Sequence, residues 1–231
     1  DVAFKEFLGE DQFDPVIGGP DQIINVLFSS GTTKEPKAIP WTQLTPVKCA
    51  VDGYLHHDVR PGDVLTWTTG MGWMMGPGLI SAALMNKAGL AVYTGSAATK
   101  EFAEFVKESG VTMLGTIPSL VKVWRQNNWS HDLDWKVKLF SSTGEPSNPE
   151  DYLYLMSLAR YRAPVIEYCG GTEIGGGYIT GTVVQPASPA VFTTPALGLN
   201  FYLLGEDDQP VTDGESGEMF LIPPSVGLSQ T

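Results

Sequence analysis

Residues 28–40 have the sequence FSSGTTKEPKAIP and follow an apolar run at 23–28 that is bounded by turn residues. Such a run predicts a buried strand, and the polar residues after it predict a loop at the strand end. Four hydroxyl residues, one glycine and two lysines fall within positions 29–37. Hydroxyl and backbone N–H groups bind phosphate oxygens, glycine lets a ligand approach the backbone, and a lysine ammonium neutralises a negatively charged leaving group. The segment therefore indicates a polyphosphate ligand.

This loop is not of the Walker A type. It lacks Gly-Lys-Ser and Gly-Lys-Thr, and Pro36 and Pro40 would interrupt the helix that follows a Walker A loop. A second interpretation is a polar turn between a strand and a helix, since loops rich in Ser, Thr and Gly are common. The residues by themselves leave both interpretations open.

The pattern around this loop predicts the fold class. A helix begins at Thr45, an N-cap residue followed by Pro46. Its apolar residues recur at helical spacing: Val47, Ala50, Val51, Tyr54 and Leu55. Short apolar runs predict further strands at 64–67, 90–93, 111–114, 137–141 and 165–168, and helical patterns lie between them at 79–87, 100–108, 118–126 and 149–160. This alternation predicts an α/β fold, in which a parallel or mixed sheet is flanked by helices.

The composition and the residue pattern of the chain change after about residue 174. Glycine and proline become frequent, and strand-like pieces appear at 199–204 and 218–222. We therefore predict a lead-in at 1–22, a partial α/β nucleotide-binding subdomain at 23–174 and a partial β-rich subdomain at 175–231. The acidic segment 206–208 is interpreted as a solvated turn.

The composition is that of a folded chain, with 42% hydrophobic and 17% charged residues among 231. A formal charge of −12 gives no net basic surface, which disfavours nucleic acid and anionic membranes as partners. The longest weakly polar run, 71–85, is shorter than the ~20 residues of a spanning helix, so no membrane span is predicted. Two cysteines indicate a reducing compartment rather than a disulfide framework. Because the chain starts without an initiator Met, we expect a piece of a longer protein.

The order of residues in the first loop resembles a known signature. SSGTT at 29–33, with Pro36 and Lys37 after it, resembles the phosphate-binding loop of the adenylate-forming (AMP-binding) superfamily. That superfamily includes acyl-CoA synthetases, luciferases and the adenylation domains of peptide synthetases. It usually has glycine at the positions of Lys34 and Ala38, and the lysine makes this loop stiffer and more basic.

Three further segments match the superfamily in the same order. TTGMGW at 68–73 resembles the Gly-Trp stretch of acetyl-CoA synthetases, which lies beside the acyl and CoA pockets. STGEPSNP at 142–149 resembles the Gly-Glu-Pro element of that branch, which borders the adenine. EYCGGTE at 167–173 resembles the aromatic-Gly-x-Thr-Glu motif, with Cys169 in place of the aromatic residue. Together the four segments look most similar to plant acyl-activating enzymes of the acetyl-CoA synthetase branch, and they imply an incomplete N-terminal domain of an adenylate-forming enzyme.

The resemblance implies a role for each matching residue. The phosphate-binding residues would be Ser29, Ser30, Gly31, Thr32, Thr33 and Lys37. The adenosine-binding residues would be Gly144, Glu145, Pro146, Glu167, Tyr168, Cys169, Gly170 and Gly171. Thr172 would contact the α-phosphate, Glu173 would hold Mg²⁺, and Trp73 and Gly170 would line the acid pocket. Lys37, Thr172 and Glu173 are the expected catalytic residues.

The implied reaction has two halves. A small carboxylic acid attacks ATP to form an acyl-adenylate, and CoA then displaces AMP, so ATP, Mg²⁺, CoA and the acid are the expected ligands. The family's ribose-binding element and its small C-terminal domain with a catalytic lysine are absent from these 231 residues. We therefore expect the chain alone to be inactive. The resemblance leaves the location peroxisomal or cytoplasmic.

The residues also permit simpler interpretations. Glu173 could be a capping or surface residue, the Gly-Glu-Pro element a tight turn before a helix at Asn148, and Trp73 a core aromatic. His56, His57 and His131 show no metal-binding spacing and are interpreted as helix-end or loop residues without chemistry.

Two other functions stay open at this stage. A non-catalytic nucleotide-binding regulatory module is favoured by the departures at Lys34 and Cys169. A luciferase-like, oxygen-using enzyme would share the adenylation half, although the Gly-Glu-Pro and Gly-Trp elements favour the synthetase branch.

Gly170 leads to an expectation about the acid. In the acetate-using relatives a tryptophan at the matching position closes the acyl pocket. A tryptophan side chain buries on the order of 200 Å². Glycine at this position therefore predicts a preference for longer or bulkier acids, unless Gly170 only serves a tight turn.

Overall fold

A computed structural model describes residues 14–29, 35–129 and 131–223. The strands are β1 (Ile23–Ser29), β2 (Lys37–Thr42), β3 (Val64–Trp67), β4 (Gly89–Leu90), β5 (Met113–Thr116), β6 (Leu139–Ser142), β7 (Val165–Gly171), β8 (Gly176–Thr180), β9 (Thr194–Pro195), β10 (Asn200–Leu204) and β11 (Glu218–Ile222). The helices are α1 (Thr45–Leu55), α2 (Met75–Met85), α3 (Lys100–Glu108), α4 (Pro118–Gln126) and α5 (Pro149–Leu158), and a 3-10 turn covers His131–Leu133.

A mixed sheet of seven strands forms the centre, in the order β4-β3-β5-β6-β7-β8-β9. The first five of these strands are parallel to one another, whereas β8 and β9 are antiparallel additions. The predicted α/β class with a mixed sheet is therefore confirmed. Parallel neighbours direct their carboxyl ends to the same edge of the sheet, and the loops that follow β3, β5, β6 and β7 meet there.

Helices cover both faces of the sheet. On one face, α3, α4 and α5 enclose an aromatic cluster that includes Phe102, Trp124 and Phe140. On the other face, a cluster that includes Leu65, Ala83 and Leu139 packs under α2. Adjacent residues of one strand enter opposite clusters because side chains alternate along a strand. This explains why the central strands have the near-continuous apolar sequences that predicted them.

Two short hairpins flank this sheet. β1 pairs with β2, and β10 pairs with β11, each in antiparallel orientation. The element that follows β1 in the chain is therefore a strand, and the interpretation as a turn between a strand and a helix is wrong. The predicted strand at 23–28 is confirmed, but its predicted burial is wrong: within β1 only Leu27 is buried, because β2 is the sole neighbouring strand among the described residues.

Helix α1 forms where it was predicted, but it buries a polar face. Lys48 and Asp52 are buried, whereas Tyr54 and Leu55 are 47% and 38% exposed. The helix includes Thr45, so its N-cap is Leu44 rather than Thr45. The hydroxyl oxygen of Thr45 accepts a hydrogen bond from the backbone N–H of Thr42. The apolar spacing therefore predicted the helix correctly, and the burial of its polar residues is a finding of the structure.

Helices α3 and α4 have the predicted bounds, whereas other element ends shift. The strand predicted at 90–93 is reduced to Gly89–Leu90, because β4 pairs with β3 over two residues at the sheet edge. The helix predicted from residue 79 begins at Met75, across two glycines and a proline that obscured its start. Strands β8 and β9 carry the central sheet past residue 174, and β10 and β11 form a separate sheet; the division at residue 174 stays a prediction. Within the described ranges, no helix has the length and apolar character needed to cross a membrane.

Candidate functional site

A cleft of about 710 Å³ lies at the carboxyl edge of the parallel strands. Its lining includes residues from three of the four segments that the sequence analysis singled out: 68–73, 142–149 and 167–173. The remaining walls are largely apolar and come from Trp67, Met74, Met75, Tyr93, Phe102, Ile117 and Leu120. Ligands of open α/β sheets bind at this edge, where the loops after the strands converge. The cleft is therefore the candidate functional site.

The Gly-Glu-Pro element follows β6 and borders the cleft. Thr143, Gly144 and Glu145 contribute to the lining, whereas Pro146 is exposed outside it. Gly144 has a φ of 84°, which glycine adopts without steric cost. Both carboxylate oxygens of Glu145 accept hydrogen bonds from Ser119, one from its backbone N–H at 2.8 Å and one from its hydroxyl at 2.9 Å. The element is thus a tight turn and a wall of the cleft at the same time.

Glu145 completes the N-terminus of α4 from a distant part of the chain. The residue before α4, Ile117, makes no side-chain capping hydrogen bond. A carboxylate at a helix N-terminus satisfies free N–H groups and interacts favourably with the helix dipole. Glu145 therefore fixes the loop after β6 to the start of α4. The predicted start of α5 is confirmed nearby, because Asn148 accepts a hydrogen bond from the backbone N–H of Asp151.

The start of the phosphate-loop segment meets the Thr-Glu pair. The hydroxyl of Ser29 donates a hydrogen bond to Oε1 of Glu173 at 2.9 Å, across 144 residues of sequence. Lys37 pairs with Ser29 in the hairpin register, so it lies at the same hairpin end. The predicted residues Ser30, Gly31, Thr32 and Thr33, and also Lys34, lie outside the described residues. Of the predicted phosphate-binding residues that are described, Ser29 contacts Glu173, and Lys37 is the register partner of Ser29.

The turn that carries Thr172 and Glu173 is held from two sides. The indole N–H of Trp41 donates to the carbonyl oxygen of Thr172 at 2.8 Å. The thiol of Cys49 donates to the carbonyl oxygen of Gly175 at 3.0 Å. Burial raises the pKa of Cys49 to about 12, so this thiol keeps its proton and acts as a hydrogen-bond donor. The hairpin and α1 therefore fix the turn next to the cleft.

Only alternate side chains of β7 reach the cleft. Tyr168 lines it, whereas Glu167 and Cys169 do not. Glu167 is buried beside Ser147, and burial raises its pKa. The thiol of Cys169 lies 2.9 Å from the hydroxyl of Tyr178. Because side chains alternate along a strand, the structure does not bring Glu167 and Cys169 together with the other predicted adenosine-binding residues.

Gly170 and Gly171 line the cleft with their backbone, and Gly170 has a steric role. A Cβ atom at Gly170 would lie 2.0 Å from the carbonyl oxygen of Gly176. The register of β7 and β8 shifts between Cys169 and Gly170, which brings the two backbones close together. The approach of β8 therefore gives this glycine a steric role as well, and the expected preference for longer or bulkier acids stays a prediction.

Trp73 lies at the cleft and is 73% exposed. The interpretation as a core aromatic is therefore wrong. A large exposed indole next to a cleft presents an apolar surface and one N–H donor. The indole of Trp73 is therefore accessible to a ligand bound in the cleft.

A buried polar cluster beneath the cleft was not anticipated from the sequence. Lys48 and Asp52 of α1 form an ion pair of 2.5 Å, and the side chains are 3% and 2% exposed. Asp52 also accepts hydrogen bonds from the hydroxyl of Tyr168 at 2.7 Å and from the backbone N–H of Gly177 at 2.8 Å. The i, i+4 spacing of a lysine and an aspartate was visible in the sequence, but such pairs usually lie on exposed helix faces.

The two adjacent histidines are buried and uncharged. Nδ1 of His56 lies 2.9 Å from the carbonyl oxygen of Gly181, and Nε2 accepts a hydrogen bond from the backbone N–H of Leu197 at 3.0 Å. His57 lies 3.0 Å from the hydroxyl of Ser141 and packs against Tyr168. Burial lowers the pKa of His56, and it lowers that of His57 to about 4. Both side chains therefore link α1 to the sheet.

Metal-ligating side chains form no cluster that could hold an ion in the part of the chain that the structure describes. Within residues 14–29, 35–129 and 131–223, no group of three or more His, Cys, Asp or Glu side chains could hold a metal ion. Glu173 is an exposed carboxylate at the hairpin end, and a hard oxygen ligand of this kind suits Mg²⁺.

Comparison with known proteins agrees with this geometry. The family model described as AMP-binding enzyme matches residues 2–228. The chain is 50% identical over 210 residues to the probable peroxisomal acyl-activating enzyme 17 of Arabidopsis thaliana, covering 90% of this chain and 29% of that protein. It is 48% identical over 214 residues to hexanoyl-CoA synthase of Cannabis sativa, covering 91% of this chain and 30% of that protein.

A solved structure shows the same architecture. The acetoacetyl-CoA synthetase from Streptomyces lividans superimposes with a TM-score of 0.80 and 28% sequence identity, covering 88% of this chain and 33% of that chain. The chain therefore spans about a third or less of the length of the proteins that it matches.

Proposed function

This chain belongs to the AMP-binding enzyme family, and on that premise we propose that the polypeptide that carries it is an acid–CoA ligase. It would activate a carboxylic acid as an acyl-adenylate and transfer the acyl group to CoA. The observation that carries the proposal is the contact between Ser29 and Glu173, which joins the phosphate-loop segment to the Thr-Glu pair beside the cleft.

The nucleotide would lie across the carboxyl edge of the sheet. Ser29, Lys37 and the residues at 30–33 would bind the β- and γ-phosphates, since hydroxyl groups and an ammonium suit phosphate oxygens. The turns at 143–145 and 170–172 would border the adenosine, because both expose backbone at the cleft. Cys169 points away from the cleft, so its departure from the family pattern leaves this surface unchanged.

Glu173 would be the protein ligand of Mg²⁺. When bound, the ion would neutralise charge on the ATP phosphates, and the phosphates would supply further oxygen ligands. The hydroxyl of Ser29 donates to Oε1 of Glu173 and so orients the carboxylate. Oε2 does not take part in that bond and would be the oxygen that binds the ion. The residues present therefore fit the ion.

The first half-reaction is an in-line displacement at phosphorus. A carboxylate oxygen of the acid forms a bond to the α-phosphorus, and the bond from that phosphorus to the bridging oxygen breaks to release pyrophosphate. Lys37 would stabilise the charge that develops on the leaving group. In the second half, the CoA sulfur forms a bond to the acyl carbon, AMP leaves with the electron pair, and the thiol proton passes to solvent.

The acid would occupy the apolar side of the cleft. Trp67, Trp73, Met74 and Met75 lie there, and they offer contact surface for a hydrocarbon chain or ring rather than for a charged group. The carboxylate of the acid would point toward the α-phosphate region beside Thr172. The relative in Cannabis sativa bears the name hexanoyl-CoA synthase, which agrees with an acid of this kind.

The experiment uses the complete polypeptide and measures pyrophosphate release with straight-chain acids of increasing length, with and without CoA. We expect release that depends on the acid, and acyl-CoA formation when CoA is added. Glu173→Gln should lower adenylate formation about 10²-fold or more, because it removes a preorganised charge at the metal site. Glu104→Gln is the matched control, since Glu104 is an exposed carboxylate outside the cleft lining. Nucleotide binding without release with any acid would favour the regulatory module instead.

The location of the complete protein is a further proposal. The Arabidopsis relative is named as peroxisomal, so we propose the same compartment here. A fluorescent protein fused to the N-terminus of the complete polypeptide should colocalise with a peroxisomal marker, and a diffuse signal would contradict the proposal.

A further inference from the structure

The buried cluster of Lys48 and Asp52 requires an explanation beyond stability. Removing two charges from water costs several kcal/mol per ion, and a buried pair is often no more stabilising than apolar residues of the same volume. Here Asp52 accepts from three donors, namely the ammonium of Lys48, the hydroxyl of Tyr168 and the backbone N–H of Gly177. The pair therefore has a positioning role, and the residue of the cleft lining that it holds is Tyr168.

The backbone around this cluster is shaped to admit it. A Cβ atom at Gly176 would lie 2.5 Å from Oδ2 of Asp52, and one at Gly177 would lie 2.5 Å from the ring of Tyr168. Larger residues at either position would push the carboxylate or the ring aside. The approach of Asp52 and Tyr168 to β8 thus explains Gly176 and Gly177.

Tyr168 separates the cleft from a second, smaller space. That space has a volume of about 20 Å³ and lies between α1, α2 and β3, with apolar walls that include Leu65, Leu79 and Met113. Tyr168 lines both the cleft and this space, together with Trp67, Met74 and Met75. These shared residues form a partition at the apolar side of the cleft, where the acid would bind.

We propose that Lys48 and Asp52 are a positioning pair that anchors Tyr168 as the end wall of the acid site, and that this wall limits the length of the acid's hydrocarbon chain. The inference rests on the proposed function, because it assigns the apolar side of the cleft to the acid. The hydroxyl of Tyr168 is bound to a carboxylate that also faces an ammonium, and hydrogen bonds to ionised groups are stronger than those between neutral groups. The ring also packs against His57 in a tilted arrangement, with centroids 4.9 Å apart, so it has contacts beyond the one at its hydroxyl.

The test compares chain-length profiles of the complete polypeptide and its variants. Values of kcat/KM are measured for straight-chain acids, and KM is measured separately for ATP. Tyr168→Leu shortens the wall and joins the cleft to the space behind it. We expect the ratio of kcat/KM for long over short acids to rise about fourfold for each additional methylene that becomes buried, while KM for ATP changes little.

Tyr168→Phe isolates the anchor from the bulk of the ring. The variant loses one oxygen atom and keeps the wall, so it is the decisive variant if Tyr168→Leu does not fold. We expect kcat/KM for the acid that is one methylene longer than the longest good substrate of the wild type to rise about fourfold relative to kcat/KM for that substrate. The reason is that a ring without its hydrogen bond can shift enough to admit one methylene. The double variant Lys48→Met with Asp52→Leu removes the anchor without leaving an unpaired charge, and it should reproduce the shift of Tyr168→Phe.

Tyr178→Phe is the matched control. Its hydroxyl also forms a hydrogen bond, partly buried, to Cys169, but the residue does not line the cleft. A purely structural effect would lower kcat for all acids in proportion, and this control should show at most such an effect. A chain-length profile of Tyr168→Phe that equals the wild-type profile would overturn the inference. Folded wild-type protein without acid-dependent pyrophosphate release would instead overturn the proposed function.

Discussion

Glu145 provides the sharpest test of how the cleft is built, because its carboxylate could act through α4 or through the nucleotide. Glu145→Ala removes two hydrogen bonds to Ser119, one to the backbone N–H and one to the hydroxyl. Loss of a capping interaction at a helix N-terminus costs about 1 kcal/mol. We therefore expect the free energy of unfolding to fall by about that amount, measured by urea denaturation monitored through tryptophan fluorescence.

The same substitution should weaken ATP binding. Glu145 ties the turn at 143–145 to α4, and freeing that turn means that ATP must order it again on binding. If the ordering cost equals the lost capping energy, KM for ATP in the complete polypeptide should rise about fivefold. A change of this size without a change in the acid KM would place the effect on the nucleotide side of the cleft.

Ser119→Ala separates the two explanations. It removes the hydroxyl donor and keeps the backbone donor, so it should give a smaller effect of the same kind. In a double-mutant cycle, Ser119 and Glu145 should show a coupling energy of about 0.5 kcal/mol or more, because they are in contact. Additive effects, with a raised KM for ATP and unchanged stability in Glu145→Ala, would refute the indirect role and assign Glu145 a direct contact with the nucleotide.

Three further predictions concern Lys37, Gly170 and His57. Lys37→Ala should slow single-turnover adenylate formation about 10²-fold, because it removes a positive charge near the leaving pyrophosphate, whereas Lys34→Gly should be tolerated; equal damage from both would contradict the role of Lys37. Gly170→Ala should lower the free energy of unfolding, measured by urea denaturation, by about 1–3 kcal/mol, because the new Cβ would meet the carbonyl of Gly176. Gly19→Ala is the control, since a Cβ there would meet no atom within 4 Å. Burial lowers the pKa of His57 from 6.5 to about 4, so the unfolded state binds more protons than the folded state between these pH values. The free energy of unfolding should therefore fall by about 2 kcal/mol from pH 7 to pH 5. A His57→Gln variant whose free energy of unfolding declines equally steeply would contradict this.

Local signals were sufficient for the elements that have strong start and stop residues. Helix α4 begins at Pro118 and α3 follows Thr99, and both helices have the predicted bounds. The central strands were recognisable because both faces of the sheet are covered, which gives continuous apolar sequences. Strand β2 was missed because Pro36 and Pro40 suggested a loop, whereas a strand at the edge of a hairpin tolerates proline.

The misplaced features depend on contacts that no local pattern contains. The apolar spacing of α1 does not indicate its buried polar face, because two partners of Asp52 are Tyr168 and Gly177, more than a hundred residues away. The steric role of Gly170, which comes from the backbone of β8, is another feature that no local pattern contains. Sequence reasoning therefore located the segments of the site well and their side-chain directions less well.

The way the cleft is assembled explains why its segments are so far apart in sequence. Three contacts run from the hairpin and α1 to one short stretch of chain: Trp41 to Thr172, Cys49 to Gly175, and Asp52 to Gly177. Thr172 and Glu173 lie within that stretch, and Ser29, at the end of the hairpin, reaches the carboxylate of Glu173 directly. The position of Glu173 relative to the phosphate loop is thus set by a helix and a strand pair that contain few motif residues. Because packed interiors transmit displacement, substitutions at the buried ends of these contacts should affect adenylation even though none of them touches the nucleotide.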